Sequence, residues 1–131
     1  MNSDFEFLND YNEQITEEDI EYIKKFIINI IEGKGNDCIV MLSGNDGCGK
    51  SRLTKQIIEY IGNNNVYIAL PNHYSEIKPL IILDAWIDML NKNNLKYLKN
   101  LCLYKQSIIM TKHITQNIPQ EIENHIKIID M

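Results

Sequence analysis

The fold of this chain is decided by residues 38–61, which read CIVMLSGNDGCGKSRLTKQIIEYI. A short apolar run rich in β-branched residues comes first and predicts a buried strand at 38–42. A loop with three glycines follows, and the next apolar residues recur at helical spacing, which predicts a helix closed by Gly62. This order of strand, glycine loop and helix is the context that the phosphate-binding pattern GxxxxGK[ST] requires.

The loop carries the groups that hold the phosphates of a nucleoside triphosphate. Glycines permit positive φ angles, so that backbone N–H groups can close around phosphate oxygens. The pattern places the Lys50 ammonium at the β- and γ-phosphates and the Ser51 hydroxyl at Mg²⁺, and the start of the helix adds a favourable field. We therefore predict that ATP and Mg²⁺ are the cofactors. The predicted cofactor-binding residues are Gly44, Asn45, Asp46, Gly47, Cys48, Gly49, Lys50, Ser51 and Arg52.

Two polar residues that follow later apolar runs complete the predicted catalytic set. Asp84 comes directly after 80–83 and is the candidate for the second acidic element, which holds Mg²⁺ through water. Thr111 follows 107–110 and is the candidate sensor of the γ-phosphate. The alternatives are a helix-capping or loop role for Asp84 and a plain polar turn at Thr111. The predicted catalytic residues are thus Lys50, Asp84 and Thr111, and the predicted metal ligands are Ser51 and Asp84.

Strands and helices alternate along the rest of the chain. The other predicted elements are a helix capped by Thr16, strands at 66–70, 80–83, 107–110 and 126–129, and helices within 85–103 and 119–124. This alternation predicts an α/β protein with a three-layer α/β/α P-loop NTPase fold and a mainly parallel five-stranded sheet. We divide the chain into an acidic N-terminal arm, 1–15, and a P-loop NTPase domain, 16–131.

Composition and charge narrow the classes of function. The 131 residues suffice for one compact domain, and no apolar run approaches the roughly 18 residues of a membrane span. We expect a soluble, cytoplasmic protein without a membrane partner. The net charge of −5 disfavours a protein whose whole surface grips nucleic acid.

The charges are, however, unevenly placed. Residues 1–32 hold nine acids against two lysines, whereas residues 91–112 hold five lysines and no acid. Three of these lysines, Lys92, Lys96 and Lys99, fall on one face of a predicted helix. They are candidate contacts for single-stranded nucleic acid, and an ordinary solvated face is the alternative.

Residues 20–61 contain a helix, a strand, the loop GNDGCGKS and a second helix, and they resemble the start of the ATPase core of superfamily 3 helicases. These helicases occur in small DNA viruses, poxvirus-like viruses and some plasmids. The later layout is similar, since that family has a strand ending in acids, here 80–84, and a strand ending in a polar sensor, here 107–111. The resemblance implies a Mg²⁺-dependent ATPase of the additional-strand class. It also implies a homo-oligomeric ring that acts on nucleic acid or within a larger replication complex.

Two of the departures from the helicase pattern bear on ATP turnover. Ala85 stands where the family has a second acid, which orients the attacking water. Arg52 is the only arginine, so none stands further along the chain as an arginine finger. Ala85 favours a second hypothesis, a nucleotide-binding switch that holds ATP without efficient turnover.

The loop supports a third hypothesis. It also resembles the phosphate loop of thymidylate kinases, which carries Asp-Gly before a small residue and Gly-Lys-Ser/Thr, here Asp46 to Ser51. This resemblance is confined to the loop with its flanking strand and helix. It implies a nucleotide kinase that transfers a phosphoryl group between two nucleotides.

Overall fold

The computed structural model describes residues 2–36, 39–69, 78–83, 92–113 and 117–131. This part of the chain contains three α-helices, α1 (Glu17–Ile31), α2 (Lys50–Ile61) and α3 (Lys92–Leu103). It also contains five strands: β1 (Ile39–Ser43), β2 (Val66–Ala69), β3 (Leu80–Leu83), β4 (Ser107–Lys112) and β5 (Ile126–Asp130). Short 3-10 helices lie at Asn2–Tyr11, Asn63–Asn65 and Gln120–His125. None of the helices described combines the length and the apolar character that crossing a bilayer needs.

The five strands form one parallel sheet in the order β2-β3-β4-β1-β5. Strand β1 pairs with β4 on one side and with β5 on the other, and β4 separates β1 from β3. Parallel neighbours need crossover connections, and α2 follows β1 while α3 follows β3. All the strands therefore end at the same edge of the sheet, which we call the carboxyl edge.

Helical elements cover both faces of the sheet. Because side chains alternate along a strand, Val40 and Leu42 of β1 join one hydrophobic cluster, and Ile39 and Met41 join the other. The first cluster includes side chains of α1 and α2, and the second includes Leu98 of α3. Every residue of β1 is buried, as expected for a central parallel strand. The predicted three-layer α/β/α class with a parallel five-stranded sheet is confirmed.

Helix α1 starts where the sequence predicts. The Thr16 hydroxyl accepts a hydrogen bond from the Asp19 N–H at 3.2 Å and so caps the first turn. Acidic side chains in that turn lie at the positive end of the helix dipole. Isoleucines at helical spacing, including Ile20, Ile23 and Ile27, are buried. Each buried side chain of this size contributes about 1.5–3 kcal/mol relative to an exposed one.

The first residues of the chain pack against this helical layer. We call residues 2–15 the N-terminal segment, which corresponds to the predicted acidic arm. Its apolar residues Leu8, Tyr11 and Ile15 are at most 2% exposed and belong to the same hydrophobic cluster as α1 and α2. The domain boundary between residues 15 and 16 stays a prediction, but the segment contributes directly to the core.

The last part of β4 differs from the prediction. The sequence predicts a strand that ends at residue 110, with Thr111 in the following polar turn. The observed strand continues to Lys112, because Thr111 pairs with Leu42 and Lys112 pairs with Ser43 of β1. Asp84, the other candidate at a strand end, lies outside the described residues, as do residues 85–91 of the helical stretch predicted within 85–103, and α3 accounts for residues 92–103 of that stretch.

Two turns meet at the opposite edge of the sheet. The turn after α1 contains Gly35 and Asn36, and the turn after α3 contains Lys105. The Asn36 N–H donates to the Lys105 carbonyl at 3.1 Å, and the Asn36 side-chain amide donates to the Ser107 hydroxyl at 2.7 Å. A Cβ atom at Gly35 would lie 2.5 Å from the Lys105 carbonyl oxygen, so the close approach requires glycine.

We therefore expect Gly35→Ala to lower the free energy of unfolding by about 1–3 kcal/mol, the usual cost of forcing extra atoms into a packed site. Urea unfolding followed by circular dichroism measures this change. The matched control is Gly33→Asn, because Gly33 has a φ of 76° in open space and asparagine tolerates that conformation. An equal loss in the two variants would contradict the steric explanation.

Candidate phosphate-binding site

The glycine loop connects the end of β1 to the start of α2 at the carboxyl edge of the sheet. Gly47 and Gly49 have φ angles of 81° and 102°, which residues with a Cβ rarely adopt. Gly44 is restricted in another way, since a Cβ atom there would lie 2.6 Å from the Cys48 sulfur. Each glycine of the loop therefore stands where the backbone conformation or a close contact favours a residue without a Cβ atom.

A cavity of 310 Å³ opens where the loop meets α2. Helix α2 has 12 residues and no acidic residue in its first turn, so no acid of that turn offsets the positive field of its N-terminal N–H groups. Such a helix start favours anionic groups, phosphate above all. The described residues that line the cavity are Asp46, Gly47, Gly49, Lys50, Ser51 and Arg52. Six of the nine predicted cofactor-binding residues therefore surround one space.

The Lys50 ammonium folds back onto the loop. It donates to the carbonyl oxygens of Gly44 and Asn45, the latter at 3.1 Å, and lies 3.8 Å from the Cys48 sulfur. These acceptors are uncharged. Phosphate oxygens would offer Lys50 charge-assisted hydrogen bonds, which are roughly twice as strong as neutral ones. The position of the ammonium inside the loop therefore suits the phosphate-binding role that the sequence predicts.

A second cavity, of 260 Å³, brings together residues that are far apart in the sequence. Ser51 and Thr111 both line it, and so does Leu83, the residue before Asp84. Leu83, the last residue of β3, pairs with Met110, which precedes Thr111 in β4. The structure therefore places the predicted metal ligand Ser51 near the predicted sensor Thr111. Their chemical roles stay predictions.

The N-terminal segment contacts the loop, which the sequence reasoning missed. The Gln14 side-chain amide donates to the Cys48 carbonyl at 2.7 Å. The Arg52 guanidinium donates to the Asp10 carboxylate at 2.9 Å and lies 5.6 Å from the centroid of the Tyr11 ring. No local pattern in the sequence signals these contacts, because each joins residues more than 30 positions apart.

Comparison with known proteins gives structural matches only. No protein-family profile matches this chain, and no curated protein matches it by sequence. A solved structure of a RuvB mutant from Thermotoga maritima is similar with a TM-score of 0.60 and 14% sequence identity, covering 89% of this chain and 46% of that chain. The RuvB Holliday junction branch migration motor of the same organism matches with a TM-score of 0.54 and 18% identity, covering 87% of this chain and 44% of that chain.

These similarities concern the fold. The chain spans less than half the length of either RuvB chain. The parallel sheet, the glycine loop at the end of β1 and the RuvB structures together define the class: this chain has a P-loop NTPase fold.

The hydroxyl of Tyr11 provides a pH-dependent test of how the N-terminal segment packs. It donates to the Gln56 side-chain carbonyl at 2.6 Å. Burial raises the pKa of Tyr11 above its ordinary value of 10.0, while the Arg52 charge lowers this pKa and the Asp10 charge raises it. Because the unfolded chain loses this proton at a lower pH, ionisation favours unfolding.

The stability contribution of Tyr11 is therefore complete below about pH 10 and is lost as the pH rises through the folded-state pKa. We expect Tyr11→Phe to have a shallower loss of stability above pH 10 than the wild-type protein. Urea unfolding at several pH values between about 8 and 11 measures both slopes. Equal slopes for the two proteins would show that the pKa of Tyr11 is the same in the folded and unfolded states, which would contradict the prediction.

Proposed function

We propose that this chain is a Mg²⁺-dependent ATPase with the layout of a viral helicase core. The observation that carries the proposal is the 310 Å³ cavity, where Gly47, Gly49, Lys50 and Ser51 meet at the start of α2. The cavity combines backbone donors, an ammonium and a hydroxyl, which together match a triphosphate with its metal ion.

Each residue of the site has a defined task in this proposal. The loop N–H groups and Lys50 hold the phosphates, and Ser51 and Asp84 hold Mg²⁺. When bound, Mg²⁺ neutralises negative charge on the β- and γ-phosphate oxygens. Thr111 lies near Ser51 at the same edge of the sheet and orients the γ-phosphate. Asp84 follows β3, whose last residue, Leu83, lines the cavity shared by Ser51 and Thr111.

Two observations support the helicase-like layout. Strand β4 lies between β1 and β3, which is the additional strand that the resemblance to superfamily 3 helicases implies. The second of the similar RuvB structures is that of a Holliday junction branch migration motor, and this activity belongs to RuvB. We extend the motor activity to this chain as part of the proposal, together with a homo-oligomeric assembly.

Single-stranded nucleic acid is the proposed partner of the ATPase. Lys92, Lys96 and Lys99 are exposed on α3, while Leu98 on the same helix is fully buried. The lysines therefore form an outward-facing basic stripe on the sheet face opposite α1 and α2. A stripe of this kind suits phosphate backbones, whose binding then depends on salt concentration.

The second candidate function is a nucleotide-binding switch. Ala85 follows the proposed metal ligand Asp84 and has no group that could orient a water molecule. In this version the same residues hold ATP and Mg²⁺, but phosphate release is slow. The kinase hypothesis ranks third, since the chain has a single arginine with which to neutralise two nucleotides.

We expect Lys50→Ala to weaken the binding of Mg²⁺-ATP by more than about tenfold, because hydrogen bonds to charged groups are worth about 1.5–3 kcal/mol. Isothermal titration calorimetry measures the dissociation constant. Lys25→Ala, on the exposed face of α1, is the matched control for the lost charge and should bind like the wild type. Undiminished binding by Lys50→Ala would contradict the phosphate site itself.

Hydrolysis is tested separately from binding. We expect Asp84→Asn to slow phosphate release by about 10²-fold or more, because it weakens the electrostatic support of the transition state. Thr111→Val should slow release while ATP binding is largely kept. Release of inorganic phosphate is measured for each variant with and without single-stranded DNA.

Phosphate release, ATP binding and ADP formation, measured on the wild-type protein, together separate the three hypotheses. Phosphate release that single-stranded DNA stimulates supports the helicase-like ATPase. Tight ATP binding without release by the wild type supports the switch. Formation of ADP that depends on an added nucleoside monophosphate supports the kinase.

A further inference from the structure

The N-terminal segment holds the outer side of the phosphate loop. Gln14 reaches the carbonyl of Cys48 at 2.7 Å, although the two residues lie 34 positions apart. Cys48 is the residue before Gly49, whose backbone lines the 310 Å³ cavity. The hydrogen bond therefore joins the N-terminal segment to the Cys48–Gly49 peptide unit at the wall of the cavity.

The planar geometry of that peptide unit links the contact to the direction of the Gly49 N–H. The Cys48 carbonyl and the Gly49 N–H belong to one planar trans peptide, in which they point in opposite directions. A donor that holds the carbonyl on one side of the loop therefore holds the N–H toward the other side. Gly49 has a φ of 102°, and glycine allows several other backbone conformations at little cost. The orientation of this peptide thus depends on partners outside the loop.

Gln14 is itself held in place. Its backbone N–H donates to the Tyr11 carbonyl at 3.0 Å, and the Ile15 N–H donates to the same carbonyl at 2.8 Å. Tyr11 and Ile15, on either side of it, are at most 2% exposed. Although the Gln14 side chain is at the surface, it projects from a turn that is anchored in the core.

Two neighbouring contacts limit the movement of the same part of the loop. The Tyr11 ring packs beside Gly49, where a Cβ atom would lie 3.5 Å from the ring. The Tyr11 hydroxyl donates to Gln56 of α2 at 2.6 Å, and Asp10 pairs with Arg52 on the first turn of that helix. The N-terminal segment therefore contacts both the loop and the helix that carries Lys50 and Ser51.

We propose that Gln14 is a positioning residue of the phosphate loop, which fixes the Cys48–Gly49 peptide so that the Gly49 N–H faces the phosphates of the nucleotide. The proposal rests on the phosphate-binding function proposed above. Gln14 acts through the loop backbone and touches neither phosphate nor metal. Its role also assigns the N-terminal segment a part in nucleotide affinity.

The first experiment measures nucleotide affinity in the full chain. We expect Gln14→Leu, which keeps the size and removes the donor, to raise the dissociation constant of Mg²⁺-ATP about twofold to tenfold. Gln14→Glu should raise it further, because its carboxylate repels the Cys48 carbonyl. The matched controls are Asn12→Leu and Asn12→Asp at a nearby exposed position, which should bind like the wild type. Thermal unfolding of the Gln14 variants should match that of the Asn12 variants.

The second experiment needs no nucleotide. In the ligand-free protein, we expect Gln14→Leu to shift or broaden the backbone amide resonance of Gly49 in a ¹⁵N–¹H NMR spectrum, whereas Asn12→Leu leaves it in place. A purely structural role for Gln14 would lower the unfolding temperature without this local change, and that result would overturn the proposal.

The outcomes separate this proposal from the proposed function. If the wild type binds Mg²⁺-ATP, Lys50→Ala does not, and Gln14→Leu binds like the wild type, the positioning role is wrong and the phosphate site stands. If the wild type and Lys50→Ala are equally unable to bind, the proposed function fails and the positioning role fails with it. Equal weakening by Gln14→Leu and Asn12→Leu would also overturn the positioning role.

Discussion

The structure depends on the burial of β1 between two neighbouring strands and two helical layers. Its five residues pair with β4 and β5 in register, and its side chains fill both hydrophobic clusters. The glycine loop starts where this pairing ends. The Gly44 N–H donates to the Lys112 carbonyl at 3.3 Å, and the Met131 N–H donates to the Ser43 carbonyl at 2.8 Å. The flanking strands thus hold the base of the loop.

The loop conformation is allowed by its glycines and is held in place by the elements on either side of it. Two glycines adopt positive φ angles, and the Lys50 ammonium is held by uncharged carbonyl groups. Here Leu53 and Ile57 of α2 are buried in the core, so the helix start cannot move without exposing apolar surface. Core packing and site geometry are therefore coupled through α2.

The fold places two groups of charged residues on different faces of the sheet. The acidic N-terminal segment and α1 pack on one face of the sheet, and α3, with its exposed lysines, packs on the other. The acids of the N-terminal segment and the exposed lysines of α3 thus lie on opposite sides of the sheet. Near the phosphate loop, Asp10 pairs with Arg52, which places one acid of this segment against the loop helix.

The sequence by itself determined the local elements and the contiguous part of the candidate site. Apolar periodicity identified the strands and helices, and Asp46, Gly47 and residues 49–52 line one cavity largely because they are close together in the chain. Only the tertiary structure decided the strand order, the extension of β4 through Thr111 and the contact of Gln14 with Cys48. The physical reason is distance along the chain. Pairing between remote strands and hydrogen bonds between residues 34 positions apart leave no periodic trace in a sequence, since they depend on how separate elements pack.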